Sequence, residues 1–324
     1  MTPLKTYHQW IEQEIKKNPF GKQPTSLYEP IRYIMALGGK RLRPVLALLS
    51  YSLYKNDPKS IVPYATAIEV FHNFTLMHDD IMDNAPLRRG NVTVHEKWNL
   101  STAILSGDVM QVKVYDMLLS LPGEKLKEVI TFFNKCATEV CEGQQWDMEF
   151  EATKSVTEAQ YINMIRQKTA VLLGFSLEMG AILADASLDD RKLLREFGTS
   201  IGIGFQLKDD LLDAYADPKK FGKQVGGDII ANKKTYLLIK ALEKAKGKTK
   251  SELQQQLELK KFNKAKKVKA VKEIYNSLDI PGLTEKKINQ YFNRGFAALD
   301  KLNIGAERKQ ALIAFAKDLI SRQS

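Results

Sequence analysis

Residues 193–213 read L-L-R-E-F-G-T-S-I-G-I-G-F-Q-L-K-D-D-L-L-D. Leu193, Leu194, Phe197, Ile201 and Phe205 recur at three- and four-residue spacing, the period of a helix that packs one face on other helices. The same period runs through most of the 324-residue chain, so the expected fold class is all-α. Proline placement agrees, because none occurs from Gly123 to Asp217, which leaves room for several long uninterrupted helices. Prolines stand instead at junctions: Pro58 and Pro63, Pro86, Pro122 beside Gly123, Pro218, and Pro281 beside Gly282. No alternating strand run with hairpin signals, no long linker and no repeat of fixed period interrupts the pattern. With 44% hydrophobic residues the chain can bury a large core, and one domain over residues 1–324 is the simplest organisation.

The opening M-T-P-L-K-T-Y-H-Q-W-I-E-Q-E is amphipathic and charged, unlike a signal peptide, and no apolar run is long enough to span a bilayer. The expected address is the cytoplasm, with no integral membrane segment. Cys136 and Cys141 sit five apart in one expected helix and point to different faces, so neither a disulfide nor a zinc site is implied. A net charge of +11 raises nucleic acid as a partner. Its distribution argues otherwise: residues 240–273 hold twelve lysines against four glutamates, a net of +8, without one arginine. Readers of nucleic acid commonly use arginine and stacking platforms, and only Phe262 and Tyr275 accompany this tract. It reads as a solvated helical surface, with contact to an anionic surface as the lesser alternative.

The opening stretch ends in Asp209, Asp210 and Asp213, and F-T-L-M-H-D-D-I-M-D at residues 74–83 ends in the same way. Residues four apart on a helix lie on one face, about 6 Å apart along the axis, so Asp79 projects with Asp83 and Asp209 with Asp213. Like charges so placed repel, and paired hard oxygen ligands suit magnesium, which takes carboxylates, waters and phosphate oxygens. One acidic triplet alone would read as a solvated helix end; two, each with an apolar upstream side, read as a site. Basic groups accompany them. N-A-P-L-R-R-G supplies Arg88 and Arg89, and G-G-K-R-L-R-P supplies Lys40, Arg41 and Arg43. Arginine forks grip phosphate oxygens in pairs and lysine acts as a point charge, so the combination implies a polyphosphate ligand. Gly38 and Gly39 would let the backbone approach it, ahead of a helix beginning near Lys40. No G-x-x-x-x-G-K-[ST] loop is present, which disfavours nucleotide hydrolysis of the P-loop kind.

The motifs run in the order G-G-K-R-L-R-P, D-D-I-M-D with R-R-G, Gly107-Asp108, G-Q-Q-W-D at 143–147, Lys168-Thr169, F-Q-L-K-D-D-L-L-D, and G-K-Q-V-G-G-D with N-K beyond. From about Tyr28 to Leu242 this ordered set resembles the trans-isoprenyl diphosphate synthases, the family of farnesyl and geranylgeranyl diphosphate synthases. The resemblance implies an all-α bundle around a central cavity, with the two acidic motifs facing each other at its mouth and three Mg2+ ions bridging them. It makes Asp79, Asp83 and Asp209 direct metal ligands, with Asp80, Asp210 and Asp213 nearby or acting through waters. It makes Arg88, Lys168, Lys223 and Lys233 contacts to an allylic diphosphate. Lys40, Arg43, His72 and Arg89 become the set for isopentenyl diphosphate, although His72 between Phe71 and Phe74 would by itself read as a satisfied core histidine. The implied reaction joins isopentenyl diphosphate to dimethylallyl, geranyl or farnesyl diphosphate, giving a short-chain all-trans prenyl diphosphate. The catalytic set it implies is Lys168, Thr169 and Gln206: Thr169 and Gln206, next to the charged Lys168, would present oxygen dipoles to the carbocation, and no Ser-His-Asp or Cys-His pattern competes with that chemistry. A homodimer is the usual assembly of such enzymes.

Product length in this resemblance depends on bulk below the acidic rim. Phe74 lies five residues before Asp79, about 7.5 Å along a helix axis, with Phe71 about one turn deeper. Thr75 is small where animal farnesyl-forming enzymes carry an aromatic, and D-D-I-M-D lacks the two-residue insertion of bacterial short-chain enzymes. An aromatic followed by a small residue resembles a geranylgeranyl synthase, with Met110 and Val114 as candidates to complete the floor, and the expected product is geranylgeranyl or farnesyl diphosphate. A terpene cyclase shares an all-α bundle and D-D-x-x-D, yet its second metal motif usually mixes Asn, Ser or Thr with Glu. A non-catalytic subunit of a heteromeric synthase usually loses part of an acidic motif, and both are complete here. A basic nucleic-acid-binding helical protein is the plainest rival. The chain departs from the family in N-V-T-V-H after R-R-G and in its ending S-R-Q-S, which leaves closure of the isopentenyl site from that end open.

Overall fold

The computed structural model describes residues 3–216 and 225–321, and these fold almost entirely as helices, giving the expected all-α class. Pro218 and Lys223, both named above, lie outside the described residues. The chain divides into two compact units. One runs through Lys135 and takes in Phe175–Arg195 and Ile304–Leu312; the other holds Cys136–Gly174, Glu196–Asn303 and the chain from Ile313.

The first unit begins with α1 (Pro3–Lys17), α2 (Thr25–Ala36) and α3 (Leu42–Ser52), followed by a 3₁₀ turn (Pro58–Ile61) and α4 (Val62–Met82). Strands β1 (Leu87–Arg88) and β2 (Asn91–Val92), α5 (Val94–Lys97) and α6 (Leu100–Leu118) come next. The start of α7 (Gly123–Ala152), most of α9 (Val171–Leu183) and the start of α10 (Leu188–Tyr215) complete its main body. Ala65, Ala67, Ile68, Val70, Phe71 and Met77 bury the α4 side, and α6 is its main partner. Apolar on every side, α9 is buried accordingly. Gly180 lets α9 touch α3: a Cβ there would stand 2.2 Å from the carbonyl oxygen of Ala47, and Ser50 donates to the Leu177 carbonyl at 2.6 Å.

Helix α3 starts at Leu42, two residues later than expected, because Arg41 adopts left-handed backbone (φ +47°) just before it. The Arg41 guanidinium is buried, donating to Glu12 at 2.7 Å, Glu69 at 2.8 Å and the Met35 carbonyl at 2.7 Å. Arg41 therefore braces the fold and is removed from the basic groups that could meet a ligand.

The hairpin was not expected. Leu87 pairs with Val92 and Arg88 with Asn91, with Arg89 (φ +52°) and Gly90 (φ +76°) at the turn, as a two-residue type I′ connection requires. Strands of two residues are too short to leave an alternating pattern in the sequence.

The second unit holds the rest of α7, α8 (Glu158–Ile165), a π turn (Arg166–Ala170) and most of α10. It continues through α11 (Gly227–Ile230), α12 (Tyr236–Lys244), α13 (Gly247–Glu258), α14 (Lys264–Ser277) and α15 (Ile280–Asp300). Helix α16 (Ala306–Ser321) ends the described chain. Thr157 and Gln160 form a capping box at the start of α8, the Thr-x-x-Gln spacing that satisfies two orphan amides. Gly202 lets α10 approach the π turn, since a Cβ there would lie 2.7 Å from the Ala170 Cα. Lys267 corrects the reading of the basic tract as wholly solvated. It is buried, donates to Asn232 at 2.7 Å, and lies 4.3 Å from the ring centre of Phe262. Cys136 is buried and Cys141 exposed, as their spacing implied. Among the described residues no helix is long and apolar enough to cross a membrane.

Replacing one member of a buried ion pair strands the other's charge, at a cost of about 3–5 kcal/mol. Arg41→Met is expected to lower the unfolding free energy from urea titration by that order, and Arg41→Met with Glu69→Met to recover most of it; equal loss in both variants would contradict the pairing.

Candidate active site

Helix α4 ends at Met82 because Asn84 turns left-handed (φ +47°) and Pro86 follows. Asp79 and Asp80 therefore occupy its last turn and Asp83 caps it, with the Asp83 amide donating to the Asp79 carbonyl at 2.8 Å. This is the negative end of the helix dipole, and α4 has no basic residue in its last turn to offset it. Asp80 is buried and held by both arms of Arg88, Nε to Oδ2 at 2.7 Å and Nη2 to Oδ1 at 2.7 Å. Asp79 is half-buried and Asp83 exposed.

A positive cluster forms in the same unit. Arg43 donates to Nε2 of His72 at 3.0 Å, so that nitrogen is unprotonated. Burial first, then the charges of Arg43, Arg89 and Arg88, hold the His72 pKa well below its ordinary value, which keeps the ring neutral. Arg89, projected by the hairpin turn, donates to the Gly38 carbonyl. Gly39 must be glycine here twice over: its φ is +138°, and a Cβ would lie 2.9 Å from Nη1 of Arg89. Lys40 is exposed in the loop that follows. Arg43, Arg88 and Arg89 are thus brought together around neutral His72, and the repulsion among the three guanidinium groups favours an anion.

Below Asp79 on α4 the rings form a ladder. Phe74 meets His78 edge-on at 4.8 Å and Phe71 at 5.7 Å, and Phe71 meets Phe133 of α7 edge-on at 5.1 Å. Phe133 was not among the residues singled out in the sequence, because no spacing within one helix shows which ring a second helix delivers. Thr75 turns its hydroxyl to the His72 carbonyl at 2.8 Å, and Met110 and Val114 of α6 are buried.

The second unit assembles its own cavity, of about 140 Å³. Lys168, Thr169, Gln206, Asp210 and Lys233 line it, together with Asp147 and Asp228, which had been quoted within motifs but given no role. The π turn carries Lys168 and Thr169 inward, and Gly143 makes room, since a Cβ there would stand 2.2 Å from the Lys168 amide nitrogen. Lys168 pairs with Asp147 at 2.5 Å. Thr169 donates to Oε1 of Gln206 at 3.1 Å, Gln206 donates to Asp210 at 3.0 Å, and Tyr161 donates to the other Asp210 oxygen. Burial first, then the negative charges of Asp228 and Asp209, push the Asp210 pKa well above the carboxylate range, outweighing those two donors. Asp213 accepts from the Asp228 amide at 2.9 Å, which fixes the start of α11. Like α4, α10 has no basic residue in its last turn.

This donor set fits a divalent cation. Within the second unit Asp209, Asp210 and Asp213 place hard carboxylate oxygens toward the negative end of α10, and within the first Asp79 and Asp83 do the same on α4, each motif being a donor set of the kind a divalent cation takes. No group of three or more such side chains closes into a cage among the described residues; magnesium, which binds through one or two carboxylates, waters and phosphate, does not require one.

A family model described as polyprenyl synthetase matches residues 24–276. The short chain isoprenyl diphosphate synthase of Methanocaldococcus jannaschii is 42% identical over 236 residues, 72% of this chain and 71% of that protein. The geranylgeranyl diphosphate synthase of Methanosarcina mazei is 42% identical over 224 residues, 68% of this chain and 69% of that one. A crystal structure of a geranylgeranyl pyrophosphate synthase superposes with a TM-score of 0.95 at 40% identity, covering 100% of both chains. The chain belongs to the polyprenyl synthetase family, a family that uses Mg2+. Its fold is that of the geranylgeranyl diphosphate synthases.

Gly39→Ala is expected to displace Arg89 and weaken binding of inorganic diphosphate about tenfold, a change of about 1.4 kcal/mol, while the circular dichroism spectrum is unchanged. Titration calorimetry checks it, and undiminished affinity would remove Arg89 from the anion cluster.

Proposed function

We propose that this protein condenses isopentenyl diphosphate with an allylic diphosphate to give geranylgeranyl diphosphate. The enzyme class is that of a short-chain trans-prenyltransferase, as its relatives are. The observation that carries the reading is the chain Thr169–Gln206–Asp210 in one cavity with Lys168 and Lys233, where neutral oxygen dipoles adjoin groups suited to holding a diphosphate. In this reading residues 1–324 act as one catalytic domain.

Asp79, Asp83 and Asp209 would hold Mg2+, three ions when substrate is bound, with Asp80, Asp210 and Asp213 behind them. Bound magnesium supplies charge neutralisation for a leaving diphosphate. Arg88, Lys168 and Lys233 bind and orient the allylic diphosphate, with Lys223 as the remaining member of that set. Lys40, Arg43, His72 and Arg89 bind isopentenyl diphosphate without metal. Neutral His72 serves there as a hydrogen-bonding spacer that keeps Arg43 in place. As the allylic carbon–oxygen bond breaks, Thr169 and Gln206 turn oxygen toward the positive carbon, and apolar walls exclude water. The double bond of isopentenyl diphosphate attacks, and its proton passes to the departed diphosphate. Phe74, Phe71 and small Thr75 set where the growing chain stops.

The partner is a second copy of the chain. Leu105, Val112 and Leu119, seven residues apart along and just past α6, are exposed at 57%, 58% and 61%, an apolar stripe that a helix of a second copy would cover. The cytoplasm is the proposed location.

The test is incubation of purified protein with Mg2+, isopentenyl diphosphate and dimethylallyl, geranyl or farnesyl diphosphate, with sizing of the dephosphorylated products. A twenty-carbon alcohol is expected, from material that sediments as a dimer; intact substrates or cyclised hydrocarbons would instead indicate a non-catalytic subunit or a cyclase. Asp79→Ala and Asp209→Ala are each expected to lower turnover by about 10²-fold or more with helicity retained.

Removing the ring at Phe74 or Phe71 opens space below the rim, so Phe74→Ala and Phe71→Ala are expected to lengthen the product by at least one isoprene unit. Product sizing decides it, and unchanged products from both variants would exclude the ladder as the floor.

A further inference from the structure

The lysine-rich tract plays no part in the reaction proposed above. Its charge is not absorbed by the fold. Lys267 is buried and Lys240 bridges Glu158 and Glu243, but Lys246, Lys250, Lys260, Lys261, Lys264 and Lys266 are exposed, with no carboxylate within 4.0 Å among the described residues. They lie on and beside α13 and α14, two consecutive helices of one unit. Along α14 runs an open groove of about 590 Å³, lined by Lys264, Val268, Lys269, Lys272 and Glu273 of that helix, with Val225 and Ile230 contributed from outside it.

We infer that the α13–α14 face is a docking surface for an anionic lipid bilayer. Lysine is a compact, strongly hydrated point charge on a flexible stem, suited to a diffuse negative surface, whereas fixed phosphate sites favour the arginine fork that this tract lacks. Nucleic acid is disfavoured by the aromatics as well. Lys267 takes one face of Phe262 and Tyr275 is buried, so the tract has no stacking platform of several rings for successive bases. On α14 Val268 stands one turn from Lys264 and one from Lys272, and Val225 and Ile230 add apolar surface beside it, so basic side chains can reach headgroups around an apolar floor. Electrostatic attraction of this kind is worth about 1 kcal/mol for each lysine near the surface and is screened within a Debye length. It holds the protein reversibly.

The test is co-sedimentation of the full chain with vesicles of phosphatidylcholine alone and of phosphatidylcholine with phosphatidylserine. Binding to the second only, weakening as salt is raised, is expected. The variant Lys260→Glu, Lys261→Glu, Lys264→Glu, Lys266→Glu is expected to lose more than about 100-fold in that affinity with prenyl transfer in solution unchanged. If the glutamates impair folding, the same four positions as glutamine are expected to show the loss in smaller degree. Equal binding to both vesicles, no binding to the anionic ones at physiological salt, undiminished binding by the variant, or tighter binding to single-stranded RNA each overturns the proposal. Lysine-dependent vesicle binding by a protein that fails to elongate prenyl chains would leave it standing and remove the reaction instead.

Discussion

Two helices end in carboxylates where a helix wants positive charge. The C-terminal end of α4 carries Asp79, Asp80 and Asp83, that of α10 carries Asp209, Asp210 and Asp213, and neither has a basic residue in its last turn. The surroundings answer this in the same way twice. The second aspartate of each motif is taken into the protein, Asp80 by the fork of Arg88 and Asp210 by Tyr161 and Gln206. Each motif is thereby fixed in orientation through its second aspartate. Burial first, and then the charge of Asp228, raises the Asp210 pKa, so this carboxyl is the member of its motif for which the charged form is disfavoured.

The fold was legible because helix packing writes itself into spacing. Leu193 to Phe205 announce α10, and the proline-free run from Gly123 to Asp217 contains α7, α8, α9 and α10. The hairpin at Leu87–Val92 left no such trace, because two residue pairs span no period; its only sign is the Arg-Gly turn, which needs two left-handed residues. The π turn at Arg166–Ala170 is equally silent, since its extra residue in the helical turn is set by the approach of α7 at Gly143, a contact between distant segments.

Residue type alone also misjudged some environments. Arg41 and Arg43 are two apart in one basic motif, yet one guanidinium is buried between carboxylates and the other meets His72. Lys267 looks like its neighbours in the sequence, but its position on α14 faces Asn232 and Phe262. Asp147 and Asp228 stand within quoted motifs and became visible as members of the site only once Lys168 and Asp210 were seen beside them. In each case the missing information is which distant segment lies opposite, and a one-dimensional pattern does not hold it.

Helix α1 lies wholly before residue 24, where the family match begins. Even so, Glu12 takes one arm of Arg41 at 2.7 Å, and Nε2 of His8 shares a hydrogen bond with the Gly39 carbonyl at 3.0 Å. Those two contacts clamp the Gly38–Arg41 loop from outside. A protein trimmed to the family boundary would retain every residue named in the site, yet the Gly38–Arg41 loop would lack a splint on one side. The segment least conspicuous as chemistry thus braces the loop whose Gly38 carbonyl takes the Arg89 guanidinium.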